Sequence, residues 1–583
     1  MYLDYRIMNP SRYYPFVIVS TLQPKRETVM KKHLLNVVFS IVLILGILLS
    51  GCTSNTTEGT TLSTYRVTAV RSANCDYGGE IKSVQSIDEY TVRFTLCYPD
   101  SAFPAKMAAP IFTIQDSDYL SAKGGDSVAL STAPNGTGPY ILKEWRAGND
   151  TTLVTSPTYW GVPPATPKIE FRWQPDQSRR FSEYDFTAIE GMDFPSIVMT
   201  KPFSYLTYTY ANPDLKVVTH EPLNLYYLGF NNTIPPFENV KVRQAISYGL
   251  DRAALLDLSF PGGTELAQQL IPTGVTPGRT AALRWHTTDT EKAKALLAEA
   301  GFDPAQEITI AFQNSPMQTL YSPGALAQEV RNQLDKIGVK VVLKPLDVTE
   351  FEKSIAEGKE MFFIHWYAVD YLDGNAFFDK PFISQAAKFG QPYNGIQQTV
   401  AEVRGVANAD QKQVLFDKLN NMVLNEVPLI PLGHSPNLTV FRSTLQNISS
   451  NAFYENLEAM VSDKNIIRFI GASEPLSLWP ADEDDWTTFR ITRLLYDTLL
   501  TPGFGGEKLQ PLLAENWESN ADLTEWTFNL RYNVHFSDGS QLDANDVVAS
   551  FAAIWDASNP NHKGRTGEFA MFKRLFGDHI NAK

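Results

Sequence analysis

The chain has 583 residues, a hydrophobic content of 43% and a formal net charge of −14. This length and apolar content allow large cores and predict several domains or lobes rather than one. The acidic balance gives no electrostatic support for binding nucleic acid or an anionic membrane surface, and it fits an exported protein equally well.

A basic and then apolar segment near the start predicts export. Met30-Lys31-Lys32-His33 precedes an apolar run at 34–50, which ends in Leu49-Ser50-Gly51-Cys52. At roughly 17 residues the run is short for a membrane span, and no basic stop-transfer cluster follows it. The ending looks like a bacterial lipobox, so we predict lipid on the Cys52 thiol. An uncleaved anchor helix with an incidental cysteine is the alternative.

The lipobox divides the first 70 residues into three parts. Residues 1–29 are expected to be a non-native upstream extension, and 30–51 a lipoprotein signal peptide. Residues 52–70 are polar and are expected to form a lipid-anchored flexible tether.

Cys75 and Cys97 are the two cysteines that remain once Cys52 is lipidated. In an oxidising compartment they could close a loop of about 20 residues, and such a disulfide stabilises a fold by roughly 3 kcal/mol. Two unpaired thiols fit the sequence nearly as well. No CxxC or Cys/His cluster is present, so the sequence supports no zinc site.

Two β signals come first along the chain. Alternating apolar and polar residues at 79–96 predict a hairpin around an Asp-Glu turn. Asn135-Gly136-Thr137-Gly138-Pro139-Tyr140 then forms a turn that leads into the strand-like YILKEW. This glycine-rich turn does not predict phosphate binding, because no Lys-Ser/Thr follows and no helix opens there.

An amphipathic helix is predicted within 235–255, because apolar residues recur at four-residue spacing from Val242 to Leu250. Its charged residues Arg243, Asp251 and Arg252 are expected to make structural pairs rather than to touch a ligand.

Strand and helix patterns then alternate. Thr288 and Glu291 can form a capping box for a helix that Gly301 ends. There follow a strand at 308–312, a helix ending at Gly338, a strand at 339–346, a short helix at 349–357, a strand at 361–367 and a return strand at 427–432. Such alternation with right-handed crossovers predicts a mostly parallel sheet covered by helices.

Four motifs resemble those of one protein family. They are GTGPY…LKEW…SPTYWG at 136–161, VRQAISYGLDR at 242–252, WYAVDYLD at 366–373 and LLAENWESNADLTEWTFNLRYNVHFSDGSQLDANDVVASF at 512–551. The family is that of the family 5 extracytoplasmic solute-binding proteins, which are the peptide-, dipeptide- and nickel-binding receptors of ABC importers. Ser156 stands where the family usually has Asn.

The resemblance spans nearly all of residues 79–570 and implies a fold and a function. The implied fold is α/β and periplasmic-binding-protein-like (type II, cluster C), with two lobes, three subdomains and a ligand cleft between the lobes. The implied function is capture of a peptide or similar small solute by lobe closure and its delivery to an ABC permease with its ATPase. The protein is expected to be a monomer without nucleic-acid partner or cofactor. It would be exported, and either lipid-anchored to the outer face of the cell membrane or periplasmic.

The order of the motifs looks rotated, because the stretch at 512–551 resembles the family's N-terminal hallmark. Val461-Ser462-Asp463-Lys464 joins the usual C-terminus to the usual N-terminus, and no element occurs twice. The predicted parts are a small β-rich subdomain from 71–119 and 501–583, a first lobe from 120–225 and 430–500, and a second α/β lobe from 226–429. Three origins stay open: a circular permutant that folds completely, the tail of one binding protein joined to the head of another, and an assembly artefact.

The motif at 366–373 supplies the first candidate ligand-binding residues. In the peptide receptors of the family, the first aspartate of a similar W-x-ADY-xD turn anchors the peptide's α-ammonium group. The resemblance assigns that role to Asp370, through a charge-assisted hydrogen bond that a buried cleft strengthens. An ordinary aspartate capping a turn after the strand is the alternative. Trp366 and Tyr367 could supply apolar walls, although Trp366 fits the core equally well.

The turn SEPLSLWP at 473–480 is similar to the family's EPxSLDP loop, which lines the cleft from the other lobe, often through its backbone. Ser477 and Trp479 are therefore further candidate ligand-binding residues. Trp479 replaces the usual Asp, which leaves the loop's usual hydrogen bonding open and could add an aromatic surface to the cleft.

No catalytic constellation is present. The chain lacks GxSxG, HExxH and P-loop motifs, and its eight histidines are scattered. We predict that the protein is not an enzyme and holds no metal. The alternatives are a signalling or scaffold lipoprotein with the same fold, and an exported hydrolase that uses a carboxylate pair.

Overall fold

The computed structural model describes residues 65–175, 189–193, 212–504 and 509–582. The predicted upstream extension, the predicted signal peptide, the predicted lipidation site Cys52 and most of the predicted tether lie outside the described residues. Within the ranges that are described, no helix is long and apolar enough to cross a membrane.

The described residues form twenty strands and fourteen α-helices. The strands are β1 Ala69–Arg71, β2 Ile81–Asp88, β3 Thr91–Leu96, β4 Tyr140–Arg146, β5 Asp150–Thr155, β6 Lys168–Trp173, β7 Gly191–Asp193, β8 Leu215–Thr219, β9 Asn224–Phe230, β10 Glu265–Leu266, β11 Glu307–Gln313, β12 Lys340–Leu346, β13 Phe362–Ala368, β14 Leu429–His434, β15 Leu438–Arg442, β16 Ile467–Gly471, β17 Leu500–Pro502, β18 Leu509–Pro511, β19 Ala514–Ser519 and β20 Glu525–Leu530. The helices are α1 Phe103–Lys106, α2 Ser117–Lys123, α3 Ser127–Thr132, α4 Val240–Gly249, α5 Arg252–Ser259, α6 Thr290–Glu299, α7 Pro323–Asp335, α8 Val348–Ala356, α9 Ala376–Asp379, α10 Asn394–Arg404, α11 Ala409–Glu426, α12 Trp486–Thr492, α13 Ala544–Trp555 and α14 Ala570–Phe576.

The first sheet combines strands from the two ends of the described chain. Its order is β1-β2-β3-β20-β19, and every neighbouring pair is antiparallel. The predicted hairpin is confirmed as β2 and β3, and β3 pairs with β20 so that Phe94 lies opposite Trp526. Phe94 also packs against Phe551 of α13, with the ring centroids 4.9 Å apart. The hairpin and the segment at 512–551 therefore share one sheet and one core.

The second sheet has six strands in the order β10-β14-β9-β13-β11-β12. β11 runs parallel to β12 and β13, as the alternation of strands and helices predicts. The other three pairings are antiparallel, so the prediction of a mostly parallel sheet is wrong. β9 causes the difference, because it precedes the alternating segment and enters the sheet between β13 and β14 in the opposite direction.

Helix ends in this part differ from the sequence prediction in one detail. The side chain of Asp289, rather than that of Thr288, caps α6 by accepting from the backbone N–H of Lys292. The Thr288 hydroxyl donates instead to the backbone oxygen of Leu250, 3.0 Å away. Asp is at least as good an N-cap as Thr, so the adjacent aspartate takes the position.

The charged residues of VRQAISYGLDR have structural roles. Arg243 is buried and its guanidinium donates to the backbone oxygens of Phe237 and Glu426, both at 2.6 Å. Arg252 donates to the backbone oxygen of Pro431 at 2.9 Å, while Asp251 caps α5. All three residues make structural contacts, but the two arginines bond mainly to backbone carbonyls and not to Asp251, unlike the predicted structural pairs.

The third sheet has seven strands in the order β4-β5-β6-β16-β7-β15-β8. β16 follows the segment 461–464, which the sequence predicts to be the joint of the rotated order, and it runs parallel to β6 and β7 near the middle of the sheet. Within this segment the backbone N–H of Ser462 donates to Thr166 Oγ1 at 3.0 Å.

Cys75 and Cys97 form a disulfide, with their Cα atoms 5.5 Å apart. The bond connects the loop before β2 to the residue that follows β3. The backbone of Glu80 lies between them: its oxygen accepts from Cys97 N–H, and its N–H donates to Phe576 at the end of α14, both at 2.7 Å. The hairpin is thereby fastened to the C-terminal helix.

Candidate functional site

A small cleft lies where residues 105–110, 370–372 and 453–454 meet, next to Pro502 and Leu509. Its enclosed volume is about 20 Å³, and with the space that is open to solvent it amounts to about 350 Å³. The lining residues are Ala105, Ala108, Ala109, Pro110, Asp370, Tyr371, Leu372, Phe453, Tyr454, Pro502 and Leu509. As far as the described residues extend, Asp370 is the single charged side chain in this lining. The cleft therefore presents one carboxylate in otherwise apolar and aromatic surroundings.

Asp370 reaches the cleft because β13 ends just before it. β13 closes at Ala368, Val369 is buried, and Asp370 begins the turn that follows. The ammonium group of Lys380 fixes this turn, since Nζ donates to the backbone oxygen of Ala368 at 2.6 Å and lies 3.1 Å from Asp370 Oδ2. The side chains of Asp370 and Lys380 are each 15% exposed. The carboxylate is thus held in a defined position at the end of a buried strand.

A second cation approaches Asp370 from a remote segment. Nε of Arg574, on α14, lies 3.5 Å from Asp370 Oδ2. Nη1 of the same guanidinium lies 3.0 Å from Asp484 Oδ2. Lys380, Asp370, Arg574 and Asp484 therefore form a row of alternating charges beside the cleft.

These cations keep Asp370 ionised. Burial by itself would raise the pKa of this carboxyl, but Lys380 and Arg574 overcome the effect and hold its pKa below the usual value. At neutral pH the cleft therefore contains a carboxylate that can accept hydrogen bonds from a cationic group.

The two aromatic residues before Asp370 do not line the cleft. Trp366 is half-buried and stacks on Tyr226, with ring centroids 5.9 Å apart. Tyr367 is 3% exposed, and its hydroxyl donates to the backbone oxygen of Phe377 at 2.9 Å. Because side chains alternate along a strand, these neighbours cover opposite faces of β13, and both contribute to packing in this structure.

Ser477 and Trp479 also lie away from the cleft lining. Ser477 is buried, with its hydroxyl 2.8 Å and 2.9 Å from those of Ser127 and Ser131. Trp479 is 2% exposed and packs edge-on against Phe569. The loop therefore fastens α3 to the segment before α14. The tryptophan is part of the core rather than an aromatic surface in the cleft.

Several lining residues were missed in the sequence. Tyr371 and Leu372 directly follow Asp370 in WYAVDYLD and could have been inferred from it. Phe453 lies in a loop without any motif, where its ring stacks on that of Trp486 at 5.3 Å and 21°. Nothing in the local sequence marks Phe453, because its place in the cleft depends on the packing of distant segments.

A buried charge cluster lies beside the cleft. Lys106, at the end of α1, has Nζ 2.7 Å from Glu80 Oε2 and 2.7 Å from Asp100 Oδ2. All three side chains are at most 2% exposed. Burial raises the pKa of Glu80 to about 8, although Lys106 opposes the shift. Burial would also raise the pKa of Asp100, but Lys106 and Arg404 prevail and lower it to about 2.

A second ion pair, between Arg404 and Asp379, lies between this charge cluster and the cleft residue Tyr371. Arg404 Nη2 lies 2.8 Å from Asp379 Oδ1, and the hydroxyl of Tyr371 donates to Asp379 Oδ2 at 2.6 Å. The cation of Lys106 also lies 5.7 Å from the centre of the Tyr371 ring. The residues next to Asp370 are thereby held by buried polar contacts, which fixes the shape of this wall. In the part of the chain that the structure describes, no group of three or more His, Cys, Asp or Glu side chains is arranged to hold a metal ion.

The chain belongs to the bacterial extracellular solute-binding proteins, family 5, whose family model matches residues 37–389 and 508–575. The α/β fold class predicted from the sequence, and the resemblance to this family, are both confirmed.

Two curated relatives are similar over part of their length. The heme-binding protein A of Haemophilus influenzae is 26% identical over 364 residues, which are 61% of this chain and 65% of that protein. The dipeptide-binding protein of Escherichia coli K12 is 25% identical over 377 residues, which are 63% of this chain and 68% of that protein. The chain thus spans about two thirds of the length of these relatives, which are named as binding proteins rather than enzymes.

Solved structures with a similar fold include HbpA2 from Haemophilus parasuis, with a TM-score of 0.59 and 27% identity over 65% of this chain and 75% of that one. A dipeptide-binding protein from Pseudoalteromonas sp. SM9913, solved in complex with Met-Leu, has a TM-score of 0.54 and 22% identity over 66% of this chain and 76% of that one. The second likeness concerns the fold alone.

Proposed function

We propose that the protein is an exported solute-binding protein of an ABC importer and that it captures peptides, or similar small solutes, that carry a free amino group. The observation that carries this proposal is the Asp370 carboxylate, held in a cleft that is otherwise apolar and aromatic. A peptide's ammonium group would bond to Asp370, and its apolar side chains would contact Phe453, Tyr454 and Leu509. The bound form would then deliver the solute to a permease with its ATPase.

The charge of the cleft supports a cationic rather than an anionic head group. An ionised carboxylate attracts an ammonium group, and a hydrogen bond between charged partners contributes about 1.5–3 kcal/mol. The apolar lining would strengthen that contact by excluding water. The dipeptide-binding relatives fit this chemistry.

The cellular setting is part of the same proposal. The signal peptide at 30–51 and lipid on Cys52 would place a monomeric receptor at the outer face of the cell membrane, or in the periplasm, where the Cys75–Cys97 disulfide persists. The rotated order would be that of a circular permutant, which is consistent with the pairing of β3 with β20. Permease and ATPase genes beside this one would favour the importer over a signalling lipoprotein of the same fold.

The test is Asp370→Asn, which keeps the shape of the side chain and removes its charge. Titration calorimetry with Met-Leu should show a loss of affinity of roughly 10- to 100-fold, from the 1.5–3 kcal/mol of a charge-assisted bond. N-acetyl-Met-Leu, which has no ammonium group, should bind the two proteins alike.

Asp373→Asn is the matched control. Asp373 lies three positions further along the same motif and pairs with Lys412 at 3.1 Å, but it does not line the cleft. It should leave the affinity for Met-Leu within about twofold of the wild-type value, since it contacts no ligand. Equal losses for the free and the acetylated peptide in Asp370→Asn would refute Asp370 as the ammonium anchor.

A further inference from the structure

Arg574 is a second cation beside Asp370, the carboxylate to which a ligand's ammonium group is proposed to bind. It touches Asp370 Oδ2, which is the oxygen nearer to both cations, and it comes from a segment 204 positions away in the sequence. The two cations beside Asp370 differ in how firmly they are held, and that difference indicates which one a ligand could displace.

Lys380 is the fixed partner of Asp370. Its ammonium group contacts both carboxylate oxygens, at 3.1 Å and 3.3 Å, and the backbone oxygen of Ala368 at 2.6 Å. Its side chain is 15% exposed and belongs to the same stretch of chain as Asp370. Moving Lys380 would remove the donor from the partly buried backbone oxygen of Ala368, which has a cost.

Arg574 is the movable partner. Its contact with Asp370 is long, at 3.5 Å, and its side chain is 25% exposed. Its other partner, Asp484, lies at the shorter distance of 3.0 Å, and the Asp484 side chain is 53% exposed. The guanidinium can therefore leave Asp370 and stay paired with Asp484, so its displacement costs little.

The backbone of Arg574 does not need to move. Four residues of α14 are buried, namely Met571, Phe572, Leu575 and Phe576, and they anchor the helix in the core. A long arginine side chain can swing on such a support by rotation about its own bonds. The movement required is therefore local.

Charge balance favours the exchange. With Arg574 in place, an arriving ammonium group would be the third cation around Asp370. With Arg574 paired to Asp484 alone, Asp370 has two cations, Lys380 and the ligand's ammonium group, and Asp484 has one, so each carboxylate remains compensated.

We propose that Arg574 competes with a ligand's ammonium group for Asp370, and that its guanidinium gives up the contact with Asp370 and keeps its pair with Asp484 when a free-amine ligand binds. This inference rests on the proposed function. Arg574 sets how strongly a ligand must compete for Asp370, and Asp484 is the positioning residue that holds the guanidinium after it leaves Asp370.

The two substitutions Arg574→Gln and Asp484→Asn should have opposite effects. Removing the competitor should tighten binding of Met-Leu about fivefold, whereas removing its alternative partner should weaken binding about threefold, in line with the strength of partly exposed ion pairs. The affinity for N-acetyl-Met-Leu should not change in either variant. Titration calorimetry on the full-length chain in detergent measures the affinity of each of the two variants for each of the two peptides.

Two controls keep the result interpretable. Arg574→Lys retains a cation and should bind Met-Leu close to the wild-type affinity, whereas a purely structural role of the arginine would give Lys and Gln variants equal effects. A thermal melt of each variant reports whether it is folded. If Arg574→Gln does not fold, the separate variants Asp484→Asn and Arg574→Lys test the competition between Arg574 and the ligand.

The inference is overturned if the wild-type protein binds Met-Leu through Asp370 while Arg574→Gln leaves that affinity unchanged or reduces it. It is also overturned if both substitutions shift affinity in the same direction. Absence of Met-Leu binding in the wild-type protein and in every variant would instead remove the proposed function, and the inference with it.

Discussion

Replacing Lys106 by Met tests how much this one cation stabilises the buried charge cluster beside the cleft. The lysine side chain is 2% exposed and lies 2.7 Å from carboxylates of Glu80 and Asp100, each 1% exposed. Met has a similar length and no charge, so the change removes the cation without opening a large cavity. Breaking a buried ion pair by removing one partner costs about 3–5 kcal/mol, because the other charge stays buried without compensation.

The loss should depend on pH in a defined direction. Burial already raises the pKa of Glu80 to about 8, and without Lys106 the pKa of Asp100 should rise as well. A carboxyl whose pKa is higher in the folded than in the unfolded state destabilises the fold most above the folded pKa, and the cost disappears as the pH falls toward the unfolded value. The difference in the free energy of unfolding should therefore be largest near pH 8.5 and clearly smaller at pH 5.

Urea unfolding followed by tryptophan fluorescence at pH 5, 7 and 8.5 measures this difference. Lys82→Met is the matched control, since Lys82 lies on β2 but is exposed, and its loss should change stability by less than about 0.5 kcal/mol. A Lys106→Met variant that loses under about 1 kcal/mol, or loses the same amount at all three pH values, would contradict the reasoning.

Two further substitutions distinguish a residue that lines the cleft from one that only packs in the core. Phe453→Ala should weaken binding of Met-Leu by about three- to tenfold, because an aromatic contact is lost, and should leave binding of Gly-Gly unchanged in the same calorimetric assay. An equal loss of affinity for both peptides would argue against an apolar subsite. Trp479→Ala should lower the free energy of unfolding by about 3–5 kcal/mol, as measured by urea unfolding, because Trp479 is buried in the core. The folded variant should keep the preference for free over acetylated peptide, and a changed preference would place Trp479 at the ligand.

Local sequence patterns predicted those strands and helices whose formation depends on residues nearby in the sequence. The hairpin at 81–96 and the alternation of strands and helices from 307 to 368 follow from periods of two and 3.6 residues. The direction of β9 could not be predicted in this way, because its partners β13 and β14 lie more than a hundred positions away and the choice between them is made by packing.

The residues of the candidate site also fall into two groups: those that a local motif marks and those that only folding brings together. Asp370 was found because a short motif places it at the end of a strand, and the structure puts it in the cleft. Arg574, Asp484 and Phe453 come from segments that the fold brings together, and nothing near them in the sequence marks their role. Trp366 and Tyr367 share the motif with Asp370, yet side-chain alternation along β13 turns them into packing residues.

The pairing of β3 with β20 has a consequence for biosynthesis. Thr91 and Asn529 face each other in the sheet although they are 438 positions apart. At a synthesis rate of about 5–20 residues per second, the ribosome needs roughly 20–90 seconds to make the intervening chain. Until residues 525–530 emerge, β3 presents an open row of backbone donors and acceptors, to which another nascent chain can add a strand. Any product that stops before residue 525 lacks the strand that covers this edge of β3.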